Sequence, residues 1–214
     1  MELQTVAIFD QQKAESFGAR LLNALNDGAL CLMISVGHRT HLFDAMRDFR
    51  PASPGDIAKR AGLNERYVRE CLGALLTGGV VEFESSTQHF SLPPEHAGYL
   101  TRATGTDNVG VFAQYIAGLG GVEDDIVECF KKGGGVPYSR FPRFHEVMEE
   151  DSGQSVLSSL ETHILPLVPG LMDRLADGAR VLDVGCGRGP CPYSTGGAVS
   201  AELFSGNGSL YGGH

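Results

Sequence analysis

The sequence ARVLDVGCGRG, residues 179–189, decides which fold the last part of the chain can adopt. Its apolar run, mostly β-branched, is typical of a short strand that is buried on both faces. Glycines follow at alternate positions, and an acid stands two residues before the first of them (Val181, Leu182, Val184; Asp183; Gly185, Gly187, Gly189). Glycines at this place let the backbone turn sharply and approach a ligand closely. The pattern predicts a nucleotide-type loop after a strand, with an ordinary glycine-rich turn as the alternative.

This stretch resembles motif I of the class I S-adenosylmethionine-dependent methyltransferases. It is not a dinucleotide-binding fingerprint, which would need a glycine at Pro190. The resemblance implies that S-adenosyl-L-methionine is the cofactor and that the acid and the three glycines contact it (Asp183, Gly185, Gly187 and Gly189).

Residues 190–214 do not continue as that family does, with a helix and then a second strand ending in the acid that holds the ribose. Pro192 and the pair Gly196-Gly197 disfavour a helix, and Glu202 is the sole acid in this segment. We therefore expect an irregular tail, no later strand beside 180–184, and a methyltransferase that is truncated just after motif I. A short isoform, a frameshift and a gene-model error all remain open. The methyl acceptor and the catalytic residues cannot be assigned.

Composition narrows the class of protein. The chain has 214 residues, 42% of them hydrophobic, and a formal net charge of −9, which disfavours nonspecific attraction to nucleic acid or anionic membranes. Its five cysteines are scattered without a C-x-x-C pair, which favours reduced thiols in a cytoplasmic protein and predicts no metal site. No signal peptide and no apolar run of about 18 residues is present, so secretion and membrane insertion are not expected.

The first helical pattern begins near Gln11 and places several large apolar residues on one face (Phe17, Leu21, Leu22, Leu25). Asn26-Asp27-Gly28 is expected to break it. The next helix, 29–36, is apolar on nearly every side and must be covered by its own domain or by a second copy of the chain. We therefore expect a homodimer formed through residues 10–50.

Residues 53–92 predict a winged-helix domain. Ser53 and Pro54 mark a helix start, Gly62 ends that helix, and Asn64 caps a second one over 65–77. Two short alternating segments, 80–84 and 89–92, then predict a hairpin. A DNA-binding protein of this fold would have basic side chains along its second helix, here 65–77, and on its wing. In this chain the positive charges of Arg66 and Arg69 are offset by neighbouring glutamates. Scaffolding or dimerisation is therefore favoured over DNA binding.

A winged helix ahead of motif I resembles the small-molecule O-methyltransferases of plants and bacteria, in which this domain builds the dimer. The sequences of residues 26–30, 37–44 and 63–70 resemble those of a bacterial and invertebrate subgroup of these enzymes. The segment 144–152 also resembles their F-N-x-x-M-x-x-x-S pattern, which implies that Met148 and Ser152 lie against the cofactor. His145 stands where Asn is usual, and a plain core role for Phe144 and Met148 remains the alternative.

The predicted fold class is mainly α: an N-terminal winged-helix domain, a helical linker, and the first strand of an incomplete α/β, Rossmann-like domain. The predicted boundaries are 10–100, 101–175 and 176–214. The full-length form is expected to be a methyltransferase acting on a small molecule, with this chain catalytically incomplete. The alternatives are a noncatalytic dimerisation partner and a winged-helix transcriptional regulator.

Overall fold

A computed structural model describes residues 9–178 and the backbone of two further strands, 181–184 and 201–204. The described part is mainly helical, as the sequence predicts. Its helices and strands follow one another in this order: α1 Gln11–Arg39, α2 Leu42–Met46, α3 Pro54–Ala61, α4 Glu65–Thr77, β1 Glu82–Glu84, β2 His89–Ser91, α5 Pro94–Leu100, α6 Ala113–Gly120, α7 Glu123–Lys132, α8 Phe144–Ser152, α9 Leu171–Ala176, β3 Val181–Val184 and β4 Ala201–Phe204.

The first helix is longer than the sequence predicts. It runs without a break from Gln11 to Arg39, so the expected interruption at 26–28 is wrong. Asn, Asp and Gly each cost a helix only about 1 kcal/mol or less, and without a proline the turns on either side carry the helix through them. Asp10 caps the start by accepting a hydrogen bond from the Lys13 backbone N–H at 3.0 Å. Its second half packs against α2, α4 and α6.

The winged-helix prediction is confirmed in its elements. Ser53 Oγ accepts a hydrogen bond from the Asp56 N–H at 3.2 Å, and Asn64 Oδ1 accepts one from the Arg66 N–H at 3.1 Å. These side chains satisfy helix-start amides that have no partner inside their own helices. Gly62 ends α3 with φ +67°, a left-handed conformation that favours glycine.

The wing is a two-stranded antiparallel hairpin. Phe83 of β1 lies opposite Phe90 of β2, with ring centroids 4.7 Å apart. Ala52 exchanges two backbone hydrogen bonds with Phe90 and so fastens the α2–α3 connection to the wing. Side chains from α2–α5 and the wing then share one core, which includes Leu42, Phe43, Ile57, Leu72 and Leu75.

The helices after the wing form the predicted linker. α6 packs against both α1 and α8, so this region is joined to the first helix. Short 3₁₀ turns occupy 102–107 and 109–112. Two π-helical turns, Gly153–Leu157 and Leu160–Ile164, follow α8.

The strand of the glycine motif has a partner, contrary to the sequence prediction. β3 pairs in parallel with β4, and Val181 lies opposite Ala201 while Val184 lies opposite Phe204. A parallel pair needs a connection of roughly a dozen residues or more, and residues 185–200 supply that length. The four-residue run at 201–204 is too short to be recognised from periodicity. The rest of the tail that was expected to be irregular lies outside the described residues.

Candidate functional site

The site that the sequence predicts on α8 is an exposed helix face. Phe144, Met148 and Ser152 follow one another at intervals of four residues and share that face. Met148 is 42% exposed and Ser152 is exposed, so a core role does not describe either side chain. The buried residue of α8 is its neighbour Val147, at 5% exposure. A thioether and a hydroxyl are therefore available at the surface for a ligand that is part apolar and part polar.

Phe144 belongs to an aromatic cluster at the start of α8. Its ring centroid lies 5.4 Å from that of Tyr138 and 5.8 Å from that of Phe141. His145, which replaces the Asn of the resembled pattern, is exposed, and its ring centroid lies 5.9 Å from that of Phe144. Beside this cluster is a cavity of about 110 Å³ between α6 and α8, lined mainly by apolar side chains such as Leu119.

A polar network centred on Glu150 holds α8 in place. Glu150 Oε1 accepts hydrogen bonds from His38 Nε2 and Arg102 Nε, both at 2.9 Å. Its Oε2 accepts a third from Gln114 Nε2 at 2.8 Å. A carboxylate can only accept, so the proton of His38 is on Nε2. Three separate parts of the chain, namely α1, the 3₁₀ turn after α5, and α6, are thus tied to the helix that carries Met148.

The network extends back into the winged-helix domain through Arg102. Its guanidinium donates to Asp44 Oδ2 and to the His38 carbonyl oxygen, each at 2.8 Å. Its backbone N–H donates to Asp44 Oδ1 at 2.8 Å. Arg102 is about one quarter exposed, and His38 is fully buried. These charge-assisted hydrogen bonds are stronger than bonds between neutral groups and fix the angle between the two regions.

The same contacts determine the ionisation of the network. The hydrogen bond from His38, with that from Gln114 and the charge of Arg102, lowers the pKa of Glu150 to about 2, although partial burial alone would raise it. Nearby, burial together with the hydrogen bond to Asp151 raises the pKa of Tyr115 to about 12. Glu150 is therefore ionised and Tyr115 protonated near neutral pH.

The remaining predicted site residues lie in or beyond β3. Asp183 is the third residue of that strand, opposite Leu203 of β4. The three glycines lie outside the described residues (Gly185, Gly187 and Gly189). Sequence reasoning missed the Glu150 network altogether, because its members are far apart in the chain. The one local signal was that His38 and Asp44 lie within residues 37–44, whose sequence was used only as a resemblance to a subgroup of methyltransferases.

The family model of the Rv2258c-like winged HTH domain matches residues 28–102. These residues include the second half of α1 and every element from α2 to α5. The N-terminal part of the chain therefore has a winged HTH fold. A search of curated proteins gave no match.

Solved structures extend the similarity beyond the winged HTH domain. The mitomycin 7-O-methyltransferase MmcR is 16% identical, with a TM-score of 0.58 over 90% of this chain and 59% of its own. The dimethyltransferase RosA from Streptomyces davawensis is 19% identical, with a TM-score of 0.53 over 80% and 52%. PigF with SAH is 18% identical, with a TM-score of 0.50 over 84% and 52%. At these identities the similarity establishes the fold, and this chain spans about 52–59% of the length of these structures.

Two searches of the described residues concern other kinds of site. Among residues 9–178 and the two strands, no helix is both long and apolar enough to cross a bilayer. Within the same part of the chain, no group of three or more His, Cys, Asp or Glu side chains is placed to hold a metal ion.

Proposed function

We propose that this chain is the winged-helix and linker part of an S-adenosylmethionine-dependent methyltransferase that acts on a small molecule. The observation that carries the proposal is the order of the parts: a winged HTH domain, a helical linker, and then a strand that leads into the glycine motif. The similarity to the MmcR fold, which covers 90% of the chain, supports this proposal.

The exposed face of α8 supports a cofactor contact. A nucleoside with a thioether-like tail presents apolar and hydroxyl surfaces together, and Met148 and Ser152 offer matching groups. Asp183 in β3 and the glycines after the strand would hold the rest of the cofactor. The bound cofactor would supply an activated methyl group. This chain's residues would contribute by orienting it, and the Glu150 network would keep α8 at a fixed angle for that purpose.

The test uses a chimera that continues after Gly189 with the corresponding segment of MmcR. We expect it to bind S-adenosylhomocysteine in a calorimetric titration, and we expect Met148→Ala with Ser152→Ala to weaken binding by about tenfold, the value of one or two lost contacts. Glu149→Ala is the control, because Glu149 is exposed on the same helix and its side chain has no hydrogen-bond partner among the described residues. Equal binding by all three proteins would remove the proposed role of α8.

A second candidate function, a noncatalytic dimerisation partner, rests on the exposed apolar stripe of α1. Phe17, Leu21 and Leu25 are 63%, 50% and 65% exposed, and Leu32 and Val36 continue the same line. The residues are spaced by four or seven positions, so they lie within about 100° around the helix and extend along it for roughly 28 Å at 1.5 Å per residue. Exposed apolar residues along such a length favour packing of a second copy of the chain against this face of α1. A winged-helix transcriptional regulator is the third candidate.

A further inference from the structure

A cavity on the winged HTH domain collects positive charge in an otherwise acidic chain. It has a volume of about 690 Å³ and lies between the α2–α3 connection, α3 and β2. Arg50, Lys59 and Arg60 line it, together with His89. Small-molecule sites usually have volumes of roughly 300–1,000 Å³, so the cavity has the size of a ligand site.

Among the described residues, no carboxylate forms an ion pair with the three cations of this cavity. Seven of the fifteen Lys and Arg side chains in the described residues form an ion pair within 4.0 Å, and Arg50, Lys59 and Arg60 are not among them. The one acid in the lining, Asp56, accepts a hydrogen bond from the Ser53 hydroxyl at 2.7 Å at the start of α3. The cavity is therefore positive on balance, whereas the chain as a whole carries a formal net charge of −9.

Part of the cavity is held in position before any ligand arrives. The Arg60 guanidinium lies 4.5 Å from the centroid of the Phe49 ring, a cation–π contact that restrains its long side chain. Ala52, at 3% exposure, is bound to Phe90 through both of its backbone groups. The Arg60 side chain and the Ala52 backbone therefore have less conformational entropy to lose on binding, which favours affinity.

We propose that this cavity binds a small organic phosphate. Arginine and lysine together are the usual partners of phosphate oxygens, and an arginine can engage two oxygens at once. The wall formed by Phe49, Pro51 and Ala52 would cover the apolar part of the same molecule. Duplex DNA would need a basic stripe along an element that enters a groove, whereas these cations are grouped around one cavity, which favours a small ligand.

The proposal is tested by calorimetric titration of the full chain with phenyl phosphate, which carries a phosphate on a flat apolar ring. Inorganic phosphate and phenol are titrated in parallel to separate the two halves of the probe. We expect phenyl phosphate to bind with a Kd below about 1 mM, and each half to bind at least about tenfold more weakly. Binding of inorganic phosphate as tight as that of phenyl phosphate would refute an organic ligand.

Two double variants decide whether the cavity is responsible. Lys59→Gln with Arg60→Gln should weaken phenyl phosphate binding by about tenfold or more, as expected for loss of charge-assisted hydrogen bonds. Lys13→Gln with Arg174→Gln removes the same two residue types at exposed positions outside the cavity and should leave binding within about twofold. Equal losses in both variants would show a general charge effect and overturn the proposal. Displacement of phenyl phosphate by a random DNA duplex at physiological salt would overturn it in favour of nucleic acid.

Discussion

A Cβ atom on Gly37 would lie 2.7 Å from two ring carbons of Phe43, which is closer than carbon atoms approach in real structures. Phe43 is fully buried in the winged-helix core, so its ring has no room to withdraw. The close approach of α1 to α2 therefore requires glycine at this position. This packing explains one residue of the 37–44 sequence in physical terms.

We expect Gly37→Ala to lower the free energy of unfolding by about 1–3 kcal/mol, since overpacking outweighs the better helix propensity of alanine. Gly73→Ala is the matched control, because Gly73 lies inside α4 and a Cβ there meets nothing within 4 Å. That variant should be stabilised by about 0.5–1 kcal/mol. Urea denaturation measures both changes, and a neutral Gly37→Ala would mean that α1 can move away from Phe43.

Glu150 is the residue on which the contact between the linker and the winged-helix domain depends. Its pKa is depressed from 4.5 to about 2, so its carboxylate stabilises the fold above pH 4.5. That contribution is lost as the pH falls from 4.5 towards 2, where the folded protein also takes up the proton. Stability decreases on acidification because the unfolded state, in which the pKa of this carboxyl is higher, binds the proton more tightly than the folded state does.

We expect Glu150→Gln to lower the free energy of unfolding at pH 7 by about 1–3 kcal/mol. His38, Arg102 and Gln114 now donate to the two carboxylate oxygens, and glutamine would offer them only one uncharged acceptor oxygen. The variant should also lose part of the acid-induced decrease in stability between pH 4.5 and 2. Glu146→Gln, on the same helix, removes an exposed ion pair with Arg143 and should change stability by less than about 0.5 kcal/mol. Similar results from the two variants would contradict the special role of Glu150.

At the scale of elements, the continuous α1 is the main finding. Two helices separated at 26–28 would have divided its apolar residues between two surfaces, whereas one helix aligns them from Phe17 to Val36. An apolar cavity of about 230 Å³ between α1 and α4, lined by Val36 and Tyr67 among others, adjoins the end of this stripe.

We predict that the chain is a dimer at micromolar concentration and that Leu21→Glu with Leu25→Glu makes it a monomer, because two charges then lie on the stripe. Sedimentation velocity distinguishes the two states. Gln12→Glu with Ala19→Glu adds the same charge on the opposite, exposed face of α1 and should leave the dimer intact. A soluble monomer of the unaltered chain would remove the argument for a dimerisation surface.

In a DNA-binding winged-helix protein, the helix that corresponds to α4 and the wing would contact the DNA. On α4, Arg69 is paired with Glu65, and at the wing Glu84 accepts hydrogen bonds from the Ser86 N–H and hydroxyl. Those bonds lower the pKa of Glu84, so a negative charge stands where a phosphate contact would be needed.

We therefore expect binding to random or native duplexes to be no tighter than micromolar at physiological salt. A gel-shift assay measures it. Nanomolar, salt-sensitive and sequence-specific retention would place the transcriptional regulator ahead of the methyltransferase.

At the scale of the whole molecule, the described chain combines a joined winged helix and linker with one parallel strand pair. We predict that residues 1–214 assayed alone show no methyltransferase turnover and bind S-adenosylhomocysteine much more weakly than the MmcR chimera. The reason is that, under the proposed function, β3 and α8 would provide only part of the wall of the cofactor site. Micromolar binding of S-adenosylhomocysteine by residues 1–214 in calorimetry would contradict this prediction.

Local chemistry by itself determined much of the fold. The caps Ser53 and Asn64 and the stop at Gly62 depend on one to four neighbouring residues, and the structure has them where the sequence predicts. The wing hairpin is also present, with strands shorter than the predicted 80–84 and 89–92. The strand of the glycine motif is likewise a local pattern, and it is present as Val181–Val184.

Only the tertiary structure decided the features that depend on distant residues. His38 and Glu150 are 112 positions apart, and no spacing in the chain predicts that they meet. The continuity of α1 depends on the helical turns on either side, which carry the helix through three weak helix formers. The pairing of β3 with β4 joins segments that are distant in the chain, and periodicity cannot detect it. Propensity and capping act over a few residues, whereas burial and ion pairing depend on which segments the folded chain brings together.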